Sequence, residues 1–204
     1  VGNGANLTGV ASTENIRTNT NATFLQNVNV GVAITAGKLG IGFTDTQVKI
    51  GNTALDSLTT GTNNTAVGDA ALTANTSGVK NNAIGVRALT ANTTGDTNNA
   101  VGYQALDANT TGSQNSAFGN SALGANTTAN NNTAVGYNAL VTNTTGSSNV
   151  AVGSGALDAN TTGNYNVAIG KDALTNSTTA VENTAIGYQA MDTATTAHNC
   201  IAIG

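Results

Sequence analysis

The sequence predicts an all-β solenoid built from one short 17-residue coil per repeat, and three observations lead there. Gly51, Gly68, Gly85, Gly102, Gly119, Gly136, Gly153, Gly170, Gly187 and Gly204 follow one another at a constant 17-residue interval without an insertion. The regular apolar residues occupy four fixed places in each copy. Gly, Asn and Thr interrupt every copy before an amphipathic stripe of helical period can develop, and a 17-residue unit is too short for a helix pair. A strict period of this kind marks a repeat architecture, in which each unit buries its apolar face only by stacking on the next.

Residues 1–46 lie outside the register. Gly2, Asn3 and Gly4 read as a turn, and residues 23–34, rich in apolar and β-branched side chains, read as one or two strands. They are expected to form a β-rich connector that sets chain register before the array at 47–204. Started at the Asn, the repeat is N-x-A-[VIF]-G-x-x-A-L-x-x-N-T-T-G-x-x, as in Asn132 to Ser148. The x-A-[VIF]-G segment predicts a strand, the next two residues a corner, A-L-x-x a second short segment, and N-T-T-G-x-x a longer turn. Stacked at ~4.8 Å per coil, residues 51 to 204 would form a rod of about 40 to 45 Å. The last copy is cut off at Gly204, and the chain is expected to be a piece of a longer protein.

Side-chain alternation then forces a choice. Ala66 and Val67 cannot share a face of a strand, and the same reasoning separates Ala71 from Leu72. Either Val and Leu point inward, or Ala does and the coil walls approach closely. The second is preferred, and it leaves Val and Leu ladders outside, an apolar surface that demands partner chains. Asn64, Asn81, Asn98, Asn115, Asn132, Asn149, Asn166 and Asn183 form a column whose stacked amides can hydrogen-bond from coil to coil. A second Asn column, Asn75 to Asn160 in six consecutive copies, is placed to cap the longer turn. The turn glycine gives way to Ala129, Ala180 and Ala197, so small size matters there as much as access to positive φ. Variation is concentrated at positions 6 and 7, 10 and 11, and 16 and 17 of the repeat, which should face solvent.

Composition excludes several function classes. Only four Tyr and three Phe, with no Trp or Pro, leave little bulky volume for a thick core. Charged residues make up 8% of the chain and the net charge is -4, so no basic stripe is available for nucleic acid. No apolar run is long enough for membrane insertion. Cys200 is the single cysteine, which excludes an intrachain disulfide framework and a Cys-rich zinc site.

Chemistry is equally sparse, and no enzyme activity, metal site or cofactor is expected. His198 and Cys200 lack a third group to orient a base. Asp107, Asp158 and Asp192 share the tenth position of the repeat but lie two or three coils apart, with no cleft implied between them. The turns lack the carboxylate of calcium-binding nonapeptide repeats. Asn92, Asn109 and Asn143 each open an Asn-Thr-Thr acceptor sequence, but sugars on every coil would crowd a ~4.8 Å stack, so the threonines read as turn residues. Tyr103, Tyr137 and Tyr188, all at position 6, are the candidate contacts to a surface glycan, against the plainer reading that they pack on a neighbouring coil or chain.

The A-[VI]-G-x-x-A core resembles the head repeat of trimeric autotransporter adhesins, a left-handed parallel β-roll with three chains about one axis. Here the coil is longer, and the N-T-T-G segment is the departure. The fuller form, NTAVGYNALVTNTTG at 132 to 146, resembles repeats of tail fibres of marine phages, cyanophages in particular. GNGANLTGV at 2 to 10, STENIRTNTNATF at 12 to 24 and KLGIG at 38 to 42 are similar to the segments that link modules in such fibres. The resemblance implies a homotrimer, with a trimeric connector in 1–46, in an extracellular virion fibre. It would join other tail or baseplate proteins and support recognition of a host surface polysaccharide. A bacterial cell-surface adhesin head is the alternative it leaves open. An ice-binding solenoid is a more distant one, since adjacent threonines should point to opposite sides rather than form a two-row face.

Overall fold

The computed structural model describes residues 47–204; the expected connector at 1–46 lies outside the described residues. Ten three-residue strands make one sheet in chain order: β1 (Val48–Ile50), β2 (Thr65–Val67), β3 (Asn82–Ile84), β4 (Asn99–Val101), β5 (Ser116–Phe118), β6 (Thr133–Val135), β7 (Val150–Val152), β8 (Val167–Ile169), β9 (Thr184–Ile186) and β10 (Ile201–Ile203). Every neighbouring pair is parallel and every residue faces its equivalent in the next copy, Ala66 against Ala83 and Ala117 against Ala134. No helix occurs among the described residues. The protein is a parallel β-solenoid, as the period requires.

Each strand is short because its sequence allows only three extended residues. Ala at the centre points into the coil and is fully buried from Ala66 to Ala185, while its two neighbours face outward. The glycine that follows turns the chain with φ near +140°, 139° at Gly136, a region closed to side chains. Its hydrogen is also a packing requirement. A Cβ built on Gly136 would stand 2.5 Å from the Gly153 carbonyl oxygen and 2.6 Å from that carbonyl carbon.

The second segment differs from the expected one, and the Leu ladder lies inside rather than outside. Ala71 and Leu72, Ala139 and Leu140, and their equivalents are fully buried together. Alternation applies to extended backbone, and this segment is a turn. The residues before Ala and after it are left-handed, with φ of 56° at Asn138 and 53° at Leu140, so successive Cβ atoms no longer oppose each other. A left-handed L-residue costs roughly 1–2 kcal/mol. Full burial of a leucine contributes about 1.5–3 kcal/mol, enough to offset it. Leu140 N–H donates to the Ala156 carbonyl at 3.0 Å, so the turn still bonds to the next coil. Leu140→Ala should therefore cost about 2 to 3 kcal/mol, the low end of the range for core leucines because a wall one chain thick can relax inward. Urea unfolding of the variant measures it.

Two alanine columns and one leucine column line the interior together with two columns of buried asparagines. Asn132 Nδ2 donates across its own coil to the Gly146 carbonyl at 2.8 Å, while Asn132 Oδ1 accepts the Asn149 N–H at 2.9 Å. Asn143 Nδ2 donates to the same Gly146 carbonyl at 2.9 Å and to Asn126 Oδ1 at 3.1 Å. Both amide ladders are thus as expected, one stacking coils and the other capping the turn. The second breaks where Ser177 takes the Asn place: Asn160 Oδ1 and Ser177 Oγ are each buried without a partner. At the turn glycine φ is ordinary, so the substitution by Ala129 and Ala180 reflects space alone.

Outside, one apolar ladder runs the length of the sheet. Ile50, Ile84, Phe118, Val135, Ile169 and Ile186 are exposed, with Val67, Val101 and Val152 half-buried between them. The Val ladder is external, as alternation in the strand predicts. With leucine inside, each chain carries its own core, and of the two large-residue ladders only this one lies outside.

Candidate functional site

The three position-6 tyrosines follow the strand and its glycine, at the corner where the chain leaves the sheet. That corner exposes them: Tyr103 is 48%, Tyr137 59% and Tyr188 64% exposed. They share one edge of the solenoid, but Asn120 separates the first two and Ser154 and Lys171 the last two. At ~4.8 Å per coil the gaps are roughly 10 and 14 Å, so each ring stands by itself rather than in a continuous aromatic platform. Lys171 Nζ sits 5.6 Å from the Tyr188 ring centroid, a cation–π contact between coils that engages one face of that ring. Tyr165, equally exposed at 62%, lies in position 17, where the sequence pattern gives it no mark. Its backbone is left-handed, with φ of 59°, like its equivalents in the other coils.

Two of the three acidic residues at position 10 meet partners other than each other. Asp107 Oδ2 accepts from Arg87 Nη2 at 3.0 Å, and Asp158 Oδ1 accepts the Thr175 hydroxyl at 2.8 Å. Cys200 takes the place of the Asn column in the last coil and is exposed there. Its Sγ donates to the His198 carbonyl oxygen at 3.3 Å, so this contact engages backbone and not the imidazole. Among the described residues no group of three or more His, Cys, Asp or Glu could hold a metal ion, and no helix is long and apolar enough to cross a membrane.

Position 16, variable in the sequence and expected to be free and solvent-facing, carries a further ladder. Asp96 Oδ1 accepts the Val79 N–H at 2.8 Å, Ser113 Oγ the Asp96 N–H at 3.0 Å, and Asn130 Oδ1 the Ser113 N–H at 2.7 Å. Ser147 and Asn164 continue it. Asp, Ser and Asn differ as letters but each presents a short side-chain oxygen to the preceding coil. That shared acceptor was the available signal. In the Thr-Thr pair the first hydroxyl donates to the next coil, as Thr127 does to the Thr144 carbonyl at 3.1 Å. The second is exposed, so one Thr row, not two adjacent ones, faces outward.

Compared with protein-family models, with curated proteins and with solved structures, the chain matches none of them.

Proposed function

We propose that this chain is a noncatalytic structural segment of a phage tail fibre, a stiff trimeric shaft that supports recognition of a host surface. The observation that carries the reading is the exposed Ile, Val and Phe ladder, set along one sheet of ten strands in chain order without an insertion. A contiguous apolar strip about 43 Å long is more than a soluble monomer normally leaves open, and its regular spacing suits an equally regular partner. Copies of the same chain supply one. Stiffness follows from the continuous coil-to-coil bonding through strands, turns and amide ladders. The phage assignment rests on the likeness of the Asn-Thr-Thr-Gly repeat and of residues 1–46 to marine phage fibres.

Light scattering on the purified chain should give three times the 20.0 kDa chain mass. Phe118→Lys combined with Ile84→Lys should shift the mass to that of one chain while the circular dichroism of the solenoid is kept, because both side chains face outward. A wild-type monomer would overturn the trimer. Gold-labelled antibody against the chain should decorate the tails of phage particles from the source sample. Label confined to bacterial surfaces would favour the adhesin head instead.

A further inference from the structure

Two side-chain ladders tie the turn side of one coil to the next, and both stop at the same place. The amide column runs unbroken from Asn75 to Asn160, each Nδ2 donating to the Oδ1 one coil before it, as Asn160 does to Asn143 at 2.8 Å. The acceptor column at position 16 ends with Asn164, whose Oδ1 accepts the Ser147 N–H at 2.7 Å. One coil further on, Ser177 holds the amide place and Val181 the acceptor place. Neither extends its ladder: serine lacks the amide that would reach across, and valine has no acceptor.

The interface between the coil of Asn160 and the coil of Ser177 is therefore bonded differently from those before it. Along the sheet nothing changes, since Val150 pairs with Val167 and Asn166 Nδ2 donates to Asn149 Oδ1 at 3.1 Å. The loss is confined to the turn side. There Asn160 Oδ1 and Ser177 Oγ are both buried without a partner. Such atoms are penalised only while the coils stay closed, because water satisfies them once the coils part. Missing bonds and stranded polar atoms thus act together to favour opening at this one plane.

The following coils do not restore what is missing. Ala194 succeeds Ser177 in the amide column, and a half-buried Met191 replaces the buried leucine. The Thr178 hydroxyl stands 3.5 Å from the Thr195 carbonyl, against 3.0 Å from Thr161 to the Thr178 carbonyl. At its other end the amide column stops differently. Leu58 takes the place before Asn75 and packs on the core, so no buried polar atom is stranded there.

In a stack where each coil meets only its neighbours, the weakest interface sets where cooperative opening begins. We infer that the solenoid is divided between the coil of Asn160 and the coil of Ser177 into two cooperative units, and that the coils from Asn166 onward open as one block while the ladder-bonded coils stay closed. The division belongs to a single chain and does not depend on the fibre reading.

Hydrogen exchange followed by nuclear magnetic resonance on the 15N-labelled full chain tests it. The hydrogen-bonded amides of 167–203 should exchange as one group, with protection about tenfold to a hundredfold below that of 65–135, the range set by a pair of absent hydrogen bonds. Ser177→Asn combined with Val181→Asn repairs both ladders, and Asn126 beside Ala129 shows that the amide fits a coil whose turn residue is Ala, as at Ala180. The repair should raise the late group about tenfold or more and leave 65–135 unchanged. Asn126→Ser combined with Asn130→Val copies the break into the middle of the array and should lower protection from 116 onward while sparing 65–84. Protection that declines coil by coil toward Gly204 whatever the variant would mean fraying of the last coil alone, and one rate for all amides would mean a single unit. Either result overturns the division, as would a copied break that leaves the boundary where it was.

Discussion

Gly136→Ala is expected to destabilise the solenoid by about 4 kcal/mol, and Gly146→Ala, in the turn of the same coil, by about 1 kcal/mol or less. At Gly136 two penalties coincide. The backbone lies at φ 139°, where an L side chain is strained, and the new Cβ would overlap the carbonyl of Gly153 in the next coil. Neither partner can give, since that carbonyl belongs to the main chain of a coil held by the sheet. At Gly146 a Cβ also falls close to its neighbours, 2.3 Å from the Gly163 carbonyl oxygen and 2.5 Å from Asn143 Oδ1. Distance alone would make the two sites equal. Backbone conformation separates them, together with Ala129 and Ala180, which already occupy the equivalent place, buried, in coils of the same shape. Urea melts of the two variants, with hydrogen exchange at the Leu140 amide as a local probe, check the difference. Equal losses would mean that crowding and not φ governs both columns.

Asn132→Ala should be as damaging, by roughly 4 kcal/mol, because one amide serves two coils. Its loss orphans the Asn149 N–H and removes one of the two donors to the Gly146 carbonyl, between asparagines that are fully buried. Buried orphans cost about 1–3 kcal/mol each, and the small cavity adds to them. Asn132→Asp separates donor from acceptor. The ionised carboxylate keeps the acceptor for Asn149 but opposes the Gly146 oxygen, so burial and that oxygen raise its folded pKa above the unfolded value near ~3.9. A raised folded pKa means that the folded state binds the extra proton. Stability is therefore retained below about pH 4 and falls as pH rises toward the folded value. The Asp variant should melt close to the wild type at acid pH and far below it at neutral pH, while the Ala variant shows no such recovery.

These ladders also show how much of the molecule is legible in its sequence. The coil length, the parallel in-register stack, the inward Ala of the strand, the outward Val, and both Asn columns follow from a repeat without insertions. In such a repeat every residue must meet its own equivalent, and identity along a column reports the environment directly. The leucine column runs against the sequence expectation because nothing in A-L-x-x announces a left-handed leucine; Gly would have, but the sequence supplies Leu, and burial overrides local preference. The position-16 ladder is hidden for a different reason. Its members are interchangeable in function and dissimilar in letter, so variation there looks like freedom.

The candidate surface divides in the same way. That Tyr103, Tyr137 and Tyr188 share one exposed edge is legible from their common position. That Lys171 lies over Tyr188 is not, because it depends on side chains from different coils meeting at a corner. By itself the sequence determined the period, and with it which residues stack, since a coil of constant length admits one register. Only the tertiary structure decided which way each column points and which side chains meet between coils, because those depend on left-handed turns whose cost is met by burial and on neighbours one coil apart.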